Sequence, residues 1–246
     1  MPYKTGCLVC GKQLAYVDRA GSAACVYCGT LSQTNVTCID GHYVCDSCHG
    51  ASAKDLIEKY CINTTSTDPI AQAFLLMNNP AVKMHGPEHH FLVPAVLLAS
   101  YFNQQGLPPE EKARSIREAR RRSEDVKGGF CGFLGACGAG VGSGIFISVM
   151  SKATPLSGVE WRHSNRMTAE SLGRISENDG PRCCKRSSFL SIMSSVDFLA
   201  GQFGVELSTN RQPVCTFSAL NRECHQEDCP FSAEYVQKPL NRPTAP

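Results

Sequence analysis

The pattern of hydrophobic and polar residues changes near residue 50. Residues 1–50 contain only short β-prone pieces, LAYV, NVTCI and HYVC, between stretches rich in Gly, Ser, Thr and Cys. So polar a unit cannot fold on apolar burial alone, and at this size it needs metal. From residue 51 the apolar residues recur at helical spacing. The pattern therefore predicts a mainly α protein, in which a small β-rich module, 1–50, precedes a helical domain, 51–234, and a mobile tail, 235–246.

Capping residues place the helix boundaries in the second unit. Ser52 and Asp68 precede helical patterns and are preferred N-cap residues, and Pro69 suits the first helical position. The apolar segment 91–106 predicts a buried helix with Pro94 in its first turn. We expect further helices over 108–126, 135–150, 166–177 and 187–203, and a strand only at 205–209.

Composition and charge narrow the class of protein. A net charge of +2 and 42% hydrophobic residues are values of an ordinary globular protein, with no general attraction to nucleic acid. The run from Arg114 to Arg122 alternates with acids and lacks aromatic residues, so it predicts a solvated helix face. No apolar stretch reaches the roughly 18 residues that span a bilayer, and the N-terminus lacks the apolar run of a signal peptide. We therefore expect a soluble cytoplasmic protein without membrane or nucleic-acid partners.

Cysteine is unusually frequent, with 15 residues among 246. Eight lie between Cys7 and Cys61, and seven, which we call the late cysteines, lie between Cys131 and Cys229. A chain of this length does not need disulfides to replace a core, and cytosolic reductants remove them. The cysteines therefore indicate metal binding or thiol chemistry, in two separate units.

The first unit contains four ligand pairs with zinc-finger spacing. Three CxxC turns and one C-x3-H turn supply ligands for two tetrahedral zinc ions, at Cys7, Cys10, Cys25, Cys28, Cys38, His42, Cys45 and Cys48. An interleaved assignment binds one ion with the first and third pairs and the other ion with the second and fourth. A sequential assignment would bind one ion with the first two pairs and the other with the last two. Closed four-ligand sites hold a fold and seldom catalyse.

The segment CVYC-x9-C-x3-H-x2-C-x2-C resembles the RING and related cross-brace zinc fingers. It departs from the RING order because the remaining pair, Cys7 and Cys10, precedes the motif instead of following it. The resemblance favours the interleaved assignment and a structural role. It does not imply ubiquitin-ligase activity, which depends on a partner-binding surface.

Two segments of the helical domain hold candidate acid, base and thiol groups. In MHGPEHH, His85 and His89 could be proton donors or extra ligands, or the three histidines, with His90, could be core and cap residues. Glu88 could be an acid/base group or only a solvated side chain. The glycine-rich segment GGFCGFLGACGAGVGSG holds Cys131 and Cys137. Cys137 at the start of a helix would have a favoured thiolate, beside amides that could receive an anion. The same glycines could instead allow close helix packing.

The segment GPRCCKRSS adds two adjacent cysteines in a basic setting. Cys183 and Cys184 lie among Arg182, Lys185 and Arg186, and these cations are expected to lower a thiol pKa. Adjacent side chains point in different directions, so we expect only one of the two thiols in any given site.

The core ends in C-x8-C-x4-C-P, formed by Cys215, Cys224 and Cys229. Three close cysteines before a proline are typical of part of an iron–sulfur ligand set, for which Cys184 could supply the distant fourth ligand. A third structural zinc using His225 or Cys184, and no metal at all, are the alternatives. The remaining late cysteines form the predicted reactive group, which comprises Cys131, Cys137 and Cys183.

Several motifs together resemble a family of cysteine-rich domain proteins from anaerobic bacteria and archaea. They are the CxxC turns, HGPEHH, GFCGFLGACGAG, GPRCCKRSSFL and the C-x8-C-x4-C-P ending, and they span almost the entire chain. The resemblance implies a setting in anaerobic cofactor, sulfur or methyl metabolism without a particular reaction. Because the chain lacks a glycine motif for S-adenosylmethionine after a strand, methyl transfer by the chain itself is not expected.

These patterns support two hypotheses about function. The first is a cytoplasmic metalloprotein with structural zinc and a second, thiolate-rich site for redox, sulfur or small-group transfer on a small anionic substrate. It requires the late cysteines to converge in one centre, apart from the early fingers. The second is a non-catalytic zinc-finger adaptor or assembly factor for a cofactor-metabolising enzyme, whose partner is a protein and whose cysteines are all structural.

Overall fold

The computed structural model describes residues 5–209 and 212–237 of the chain. This part contains one two-stranded sheet and ten α-helices, which confirms a mainly α protein with a small β-containing module at its start. The elements are β1 (Leu14–Ala24), β2 (Leu31–Cys38), α1 (Asp46–His49), α2 (Ala53–Asn63), α3 (Pro69–Asn78), α4 (Glu88–Gln104), α5 (Pro109–Ser123), α6 (Phe130–Phe133), α7 (Gly138–Met150), α8 (Val159–Ser176), α9 (Cys184–Phe203) and α10 (Ala233–Gln237). Of the predicted mobile tail, 235–237 belong to α10, and the rest lies outside the described residues.

The first module is a β-hairpin that separates two sets of ligand turns. β1 and β2 pair antiparallel, with Leu14 opposite Cys38 at the open end and Ala24 opposite Leu31 at the loop end. The loop end packs on the helical domain through Tyr27, which is 1% exposed and meets Tyr60 of α2 edge to face, with ring centroids 6.4 Å apart. The hairpin therefore holds its two ends at different distances from the helices.

Local capping positions α2 and α3 as predicted. The Ser52 hydroxyl accepts a hydrogen bond from the Asp55 N–H at 3.3 Å, and the Asp68 carboxylate accepts one from the Ile70 N–H at 2.9 Å. Each cap satisfies a backbone donor that has no partner inside its helix. Both N-cap predictions are confirmed.

Helix α4 forms the centre of the helical domain. It is apolar on nearly all sides, and Leu92 and Val96 are fully buried, as expected for a helix enclosed by others. The prediction that Pro94 lies in the first turn is wrong, because α4 begins at Glu88 and places Pro94 in its interior. Proline has no N–H, so the His90 carbonyl lacks its usual helical donor. No helix in the described residues combines the length and the apolar character needed to cross a lipid bilayer.

Helix α7 packs between α4 and α8 through glycines on two of its faces. A Cβ atom at Gly142 would lie 2.8 Å from the His90 carbonyl oxygen and 3.0 Å from Pro94 of α4. On the opposite face, a Cβ atom at Gly140 would lie 2.7 Å from Leu172 of α8. Of the two interpretations of the glycine run, close helix packing therefore accounts for these positions.

Other element boundaries differ from those predicted. Helices α8 and α9 begin at Val159 and Cys184, earlier than expected. The predicted strand at 205–209 does not form. Helix α9 ends at Gly204 in a left-handed conformation, and the described residues offer no strand that could pair with the segment after it. Leu207 is nevertheless buried, so the apolar residue that suggested a strand packs in the core from irregular backbone.

Substitution Gly142→Ala should destabilise the fold, because the added methyl group meets a backbone carbonyl that cannot rotate away. We expect the free energy of unfolding, measured by urea titration, to fall by about 1–3 kcal/mol. Gly173→Ala is the matched control. Gly173 lies inside α8 with nothing within 4 Å of an added Cβ, so this variant should gain about 0.5–1 kcal/mol. Equal stability of the two variants would contradict the packing described for α7.

Candidate metal and thiol sites

The ligand turns are built by a repeated backbone pattern. In the first turn the Cys7 N–H donates to the Lys12 carbonyl at 2.9 Å, and the Gly11 N–H donates to the Cys7 carbonyl at 2.8 Å. The turn that begins at Cys25 repeats both bonds. Gly11 has a φ of +74°, a conformation that glycine adopts without strain. Each turn thereby directs its two cysteines to the same side of the backbone.

The four turns bring eight side chains into two groups, one at each end of the β1–β2 hairpin. In each group the candidate ligand atoms all lie within 4.8 Å of one another. The first and third turns form one group and the second and fourth turns form the other, so the arrangement is the interleaved one. The groups are Cys7, Cys10, Cys38 and His42, and Cys25, Cys28, Cys45 and Cys48.

Distances within the groups suit shared metal ions. The Sγ atoms of Cys10 and Cys38 are 3.4 Å apart, and those of Cys28 and Cys45 are 3.7 Å apart. A disulfide would require about 2.05 Å. Thiolates arranged tetrahedrally around zinc, with Zn–S bonds of about 2.3 Å, lie about 3.8 Å from one another. Each group could therefore hold a metal ion, and the pair of groups indicates a metal-binding protein.

Each group contains a thiol that ionises readily. Burial raises the pKa of the Cys38 thiol, but hydrogen bonds from the Asp40 N–H and the neighbouring thiols outweigh it, and the pKa falls to about 7. Burial likewise opposes ionisation of Cys28, yet hydrogen bonding with Thr30 and the adjacent thiols brings its pKa down to about 6. A thiolate, and not a thiol, binds metal, so these two pKa values suit a ligand role. In the same groups burial raises the pKa of the thiols of Cys10, Cys45 and Cys48.

The helical domain contains a cavity of about 620 Å³ at the N-terminal ends of α7 and α9, which we call the large cavity. It is lined by three thiols, those of Cys131, Cys137 and Cys184, and by Arg182 and His90. Cys137 immediately precedes α7, as predicted, and no side chain caps the first turn of that helix. The cavity thus combines thiols and guanidinium groups around one space, at the start of a helix whose first turn has no side-chain cap.

A second cavity, of about 20 Å³, lies beside the start of α9, and we call it the small cavity. The Cys215 N–H donates to the Phe231 carbonyl at 2.6 Å, which joins the two ends of the C-terminal loop. The small cavity is lined by four thiols and several apolar side chains, including Cys183, Cys215, Cys224, Cys229, Met84, Phe189, Phe217 and Phe231.

The late cysteines do not form the single centre that the first hypothesis requires, since they divide between the two cavities. The division falls between adjacent residues at the start of α9. Cys183 is the N-cap residue and has an extended backbone, whereas Cys184 is the first residue of α9, and their side chains face different sides. The structure places Cys183 with the C-terminal cysteines and Cys184 in the large cavity, whereas the sequence interpretation had the reverse.

Burial governs the thiols at the start of α9. It raises the pKa of the Cys183 thiol and raises that of Cys184 to about 11. The expectation that Arg182, Lys185 and Arg186 lower these pKa values is therefore wrong. Their charges do favour the thiolates, but the loss of hydration inside the protein is the larger effect.

The acid/base candidates of MHGPEHH are held in structural contacts. His89 borders the large cavity, but its ring is buried and bonds to the Lys83 carbonyl at 3.0 Å, and burial lowers its pKa to about 3. The Glu88 carboxylate accepts a hydrogen bond from the Lys83 N–H at 2.9 Å. His85 bonds to Asn221 in the C-terminal segment at 3.1 Å. These contacts favour core and cap roles over proton transfer.

Two side chains that the sequence analysis did not select as site residues lie at the cavities. His90 borders the large cavity and donates from Nδ1 to the Val126 carbonyl at 2.9 Å, which leaves Nε2 as an acceptor. Arg186 lines both cavities. The sequence contained a signal for each of them. Both are polar residues in the first turn of a buried, apolar helix, where a polar side chain indicates a specific contact.

The fold and its sites define a mainly α protein with two candidate metal groups and two thiol-lined cavities. The chain belongs to a family of unknown function (DUF5714), whose model matches residues 57–232. That range contains both cavities and all the late cysteines, whereas the two metal groups precede it. No curated protein and no solved structure matches the chain.

Stability should fall with acid because His89 remains neutral in the fold. Its folded pKa of about 3 lies below the unfolded value near 6.5, so only the unfolded state takes up the proton between those limits. The contribution of His89 to the free energy of unfolding is complete above about pH 6.5. Below that pH it falls by about 1.4 kcal/mol per pH unit. Urea unfolding between pH 7 and pH 5 measures this slope.

The variant His89→Gln should reduce the pH slope, whereas His49→Gln should keep it, since His49 is exposed. Both variants keep the two metal groups, which are themselves sensitive to acid. The difference between the pH slopes of the two variants therefore reports on His89 alone. Equal slopes in the two variants would show that His89 is not the buried neutral group described above.

Proposed function

We propose that this protein is a cytoplasmic metalloprotein with two structural zinc ions and that, in place of the single thiol centre expected from the sequence, one thiol-lined cavity of the helical domain binds a small anionic substrate for redox, sulfur or small-group transfer. The observation that carries the proposal is the large cavity, where thiols, an arginine and a helix N-terminus surround one space. The anaerobic setting implied by the sequence resemblance belongs to the same proposal. An iron–sulfur cluster among the C-terminal cysteines would be its redox element.

The donor sets of the N-terminal groups support zinc. One group offers three thiolates and one imidazole, and the other offers four thiolates. These are the ligands that zinc takes in closed structural sites, where no position is left for substrate. The interleaved order of the ligand pairs supports the likeness to cross-brace fingers. In this role the ions replace the apolar core that a small, polar hairpin cannot build.

Substitution Cys28→Ser should lower the zinc content from about two ions per chain to about one, because a tetrahedral site loses a ligand. Metal analysis after anaerobic purification measures the content. Cys61→Ala is the control, since Cys61 is fully buried in α2 and belongs to neither group. Two zinc ions in Cys28→Ser, or a loss of zinc in Cys61→Ala alone, would contradict the assignment.

Several features of the large cavity support an anionic substrate. Arg182 is exposed at its edge and can meet a carboxylate, phosphate or sulfate with two parallel hydrogen bonds. Helix α7 has 13 residues and begins at the cavity, so its first N–H groups and its dipole favour negative charge there. Cys131 and Cys137 are partly exposed and provide the thiols that such a substrate would meet.

Anion binding can be tested by protection of Cys137 from alkylation. Pyrophosphate, used as a simple anionic probe, should slow the reaction of Cys137 with iodoacetamide severalfold, as measured by peptide mass spectrometry. Arg182→Gln should remove most of this protection. Arg166→Gln should retain it, because Arg166 pairs with Glu170 on α8 at 2.7 Å and does not line the large cavity. An unchanged alkylation rate in the wild-type protein, or full protection in Arg182→Gln, would count against the anion site.

A protein-docking function is the second candidate. The hairpin exposes Tyr16, Val17 and Leu31, which are 73%, 54% and 71% accessible. Exposed apolar side chains on a small zinc module are typical of protein-binding surfaces. An adaptor or assembly factor would bind its partner protein through these side chains. Its cavity cysteines would then only stabilise the fold. Under that function Cys137→Ser would reduce stability and solubility, whereas under the first it would leave a folded protein with altered cavity chemistry.

A further inference from the structure

We propose that Cys183, Cys215, Cys224 and Cys229 hold a third metal centre, an iron–sulfur cluster of the [4Fe–4S] type. This inference deepens the proposed function, on whose redox element it rests, by naming the four ligands and by replacing Cys184 with Cys183. The four thiols line the small cavity between the first turn of α9 and the C-terminal loop. Their spacing, their backbone contacts and the charges around them carry the inference.

The four thiols of the small cavity are spaced differently from the ligand atoms of the two N-terminal groups. Among the described residues, only the two N-terminal groups bring three or more candidate ligand atoms within 4.8 Å of one another. The thiols of the small cavity are therefore too far apart to surround one ion, which would need them about 3.8 Å from each other. In a [4Fe–4S] cluster each thiolate binds a different iron, so the four sulfur atoms must stand farther apart.

Room remains between these thiols. The small cavity measures about 20 Å³, whereas one water molecule needs roughly 10–15 Å³. Its walls include the rings of Phe189, Phe217 and Phe231, so the space is mostly apolar. Apolar surroundings are a usual means by which proteins protect a cluster and set its potential.

Backbone groups are already directed at the sulfur atoms. The Phe217 N–H lies 3.3 Å from the Cys215 sulfur, and the Gln226 N–H lies 3.4 Å from the Cys224 sulfur. The Arg186 N–H lies 3.5 Å from the third sulfur, that of Cys183. Hydrogen bonds of this kind stabilise thiolates and tune the potential of a cluster.

Buried cations beside the thiols need a negative partner. Arg186 is 7% exposed, and its guanidinium donates to His225 Nδ1 at 3.0 Å and to the carbonyls of Asp179 and Pro181 at 2.8 and 3.3 Å. Lys185 is 2% exposed and donates to the Met77 carbonyl at 2.9 Å. Within the described residues neither cation forms an ion pair with a carboxylate.

A bound cluster would supply that negative charge. Four thiolates carry −4 and a [4Fe–4S]²⁺ core carries +2, so the centre has a net charge of about −2. This balances one arginine and one lysine. The charge of the cluster would add to that of the Glu88 carboxylate, which already favours the protonated form of Lys185, and would offset the free-energy cost of burying Arg186.

Reconstitution of the full-length protein without oxygen tests the assignment. After treatment with iron, sulfide and dithiothreitol, we expect about four iron and four sulfide per chain beyond the zinc, with broad visible absorbance. Cys183→Ser should lose most of the iron. Cys184→Ser is the matched control and should retain it, because the neighbouring thiol faces the large cavity.

Three outcomes would overturn the inference: a third zinc in place of iron, no metal beyond the two zinc ions, or equal iron loss in both variants. Zinc content and far-ultraviolet circular dichroism show whether Cys183→Ser is folded. If it is not, Cys224→Ser replaces it, since Cys224 lies in the C-terminal loop and outside the large helices. The cluster can fail while pyrophosphate still protects Cys137, and that pattern would reject this inference without rejecting the anion site.

Discussion

The close approach of α7 to α4 is the constraint on which the helical domain depends. The backbone of α7 at Gly142 lies against the His90 carbonyl, which has no helical donor because Pro94 follows four residues later. A side chain at Gly142 would separate the helices. The segment before α7 carries Cys131 and Cys137, so this packing also determines where their thiols lie. The large cavity is thus a product of helix packing as much as of the residues that line it.

The start of α9 determines which cavity its functional side chains line. Cys183 and Cys184 are adjacent in the chain, yet each belongs to a different cavity. Arg186 follows in the same turn and borders both. One helical turn therefore connects the large cavity with the set of four thiols at the small cavity. The proposed substrate site and the proposed redox element both depend on this proximity.

The N-terminal module follows a different principle. Most residues of its two strands are exposed or only partly buried, so the hairpin contributes little apolar burial. Its ligand groups stand at opposite ends and tie the turns together across the sheet. The family match begins at residue 57, after this module. The helical domain accordingly carries the features shared with the family, and the module packs on it through Tyr27 and Tyr60.

Sequence alone determined the features that depend on nearby residues. The mainly α class, the caps at Ser52 and Asp68, the position of Cys137 before α7 and the choice of eight candidate ligands in the N-terminal module all follow from local spacing and local hydrogen bonds. Only the tertiary structure decided how the late cysteines divide and which of Cys183 and Cys184 meets the C-terminal loop. The reason is that rotation of one helix and closure of a distant loop, neither of which is encoded in a short pattern, decide which thiols meet.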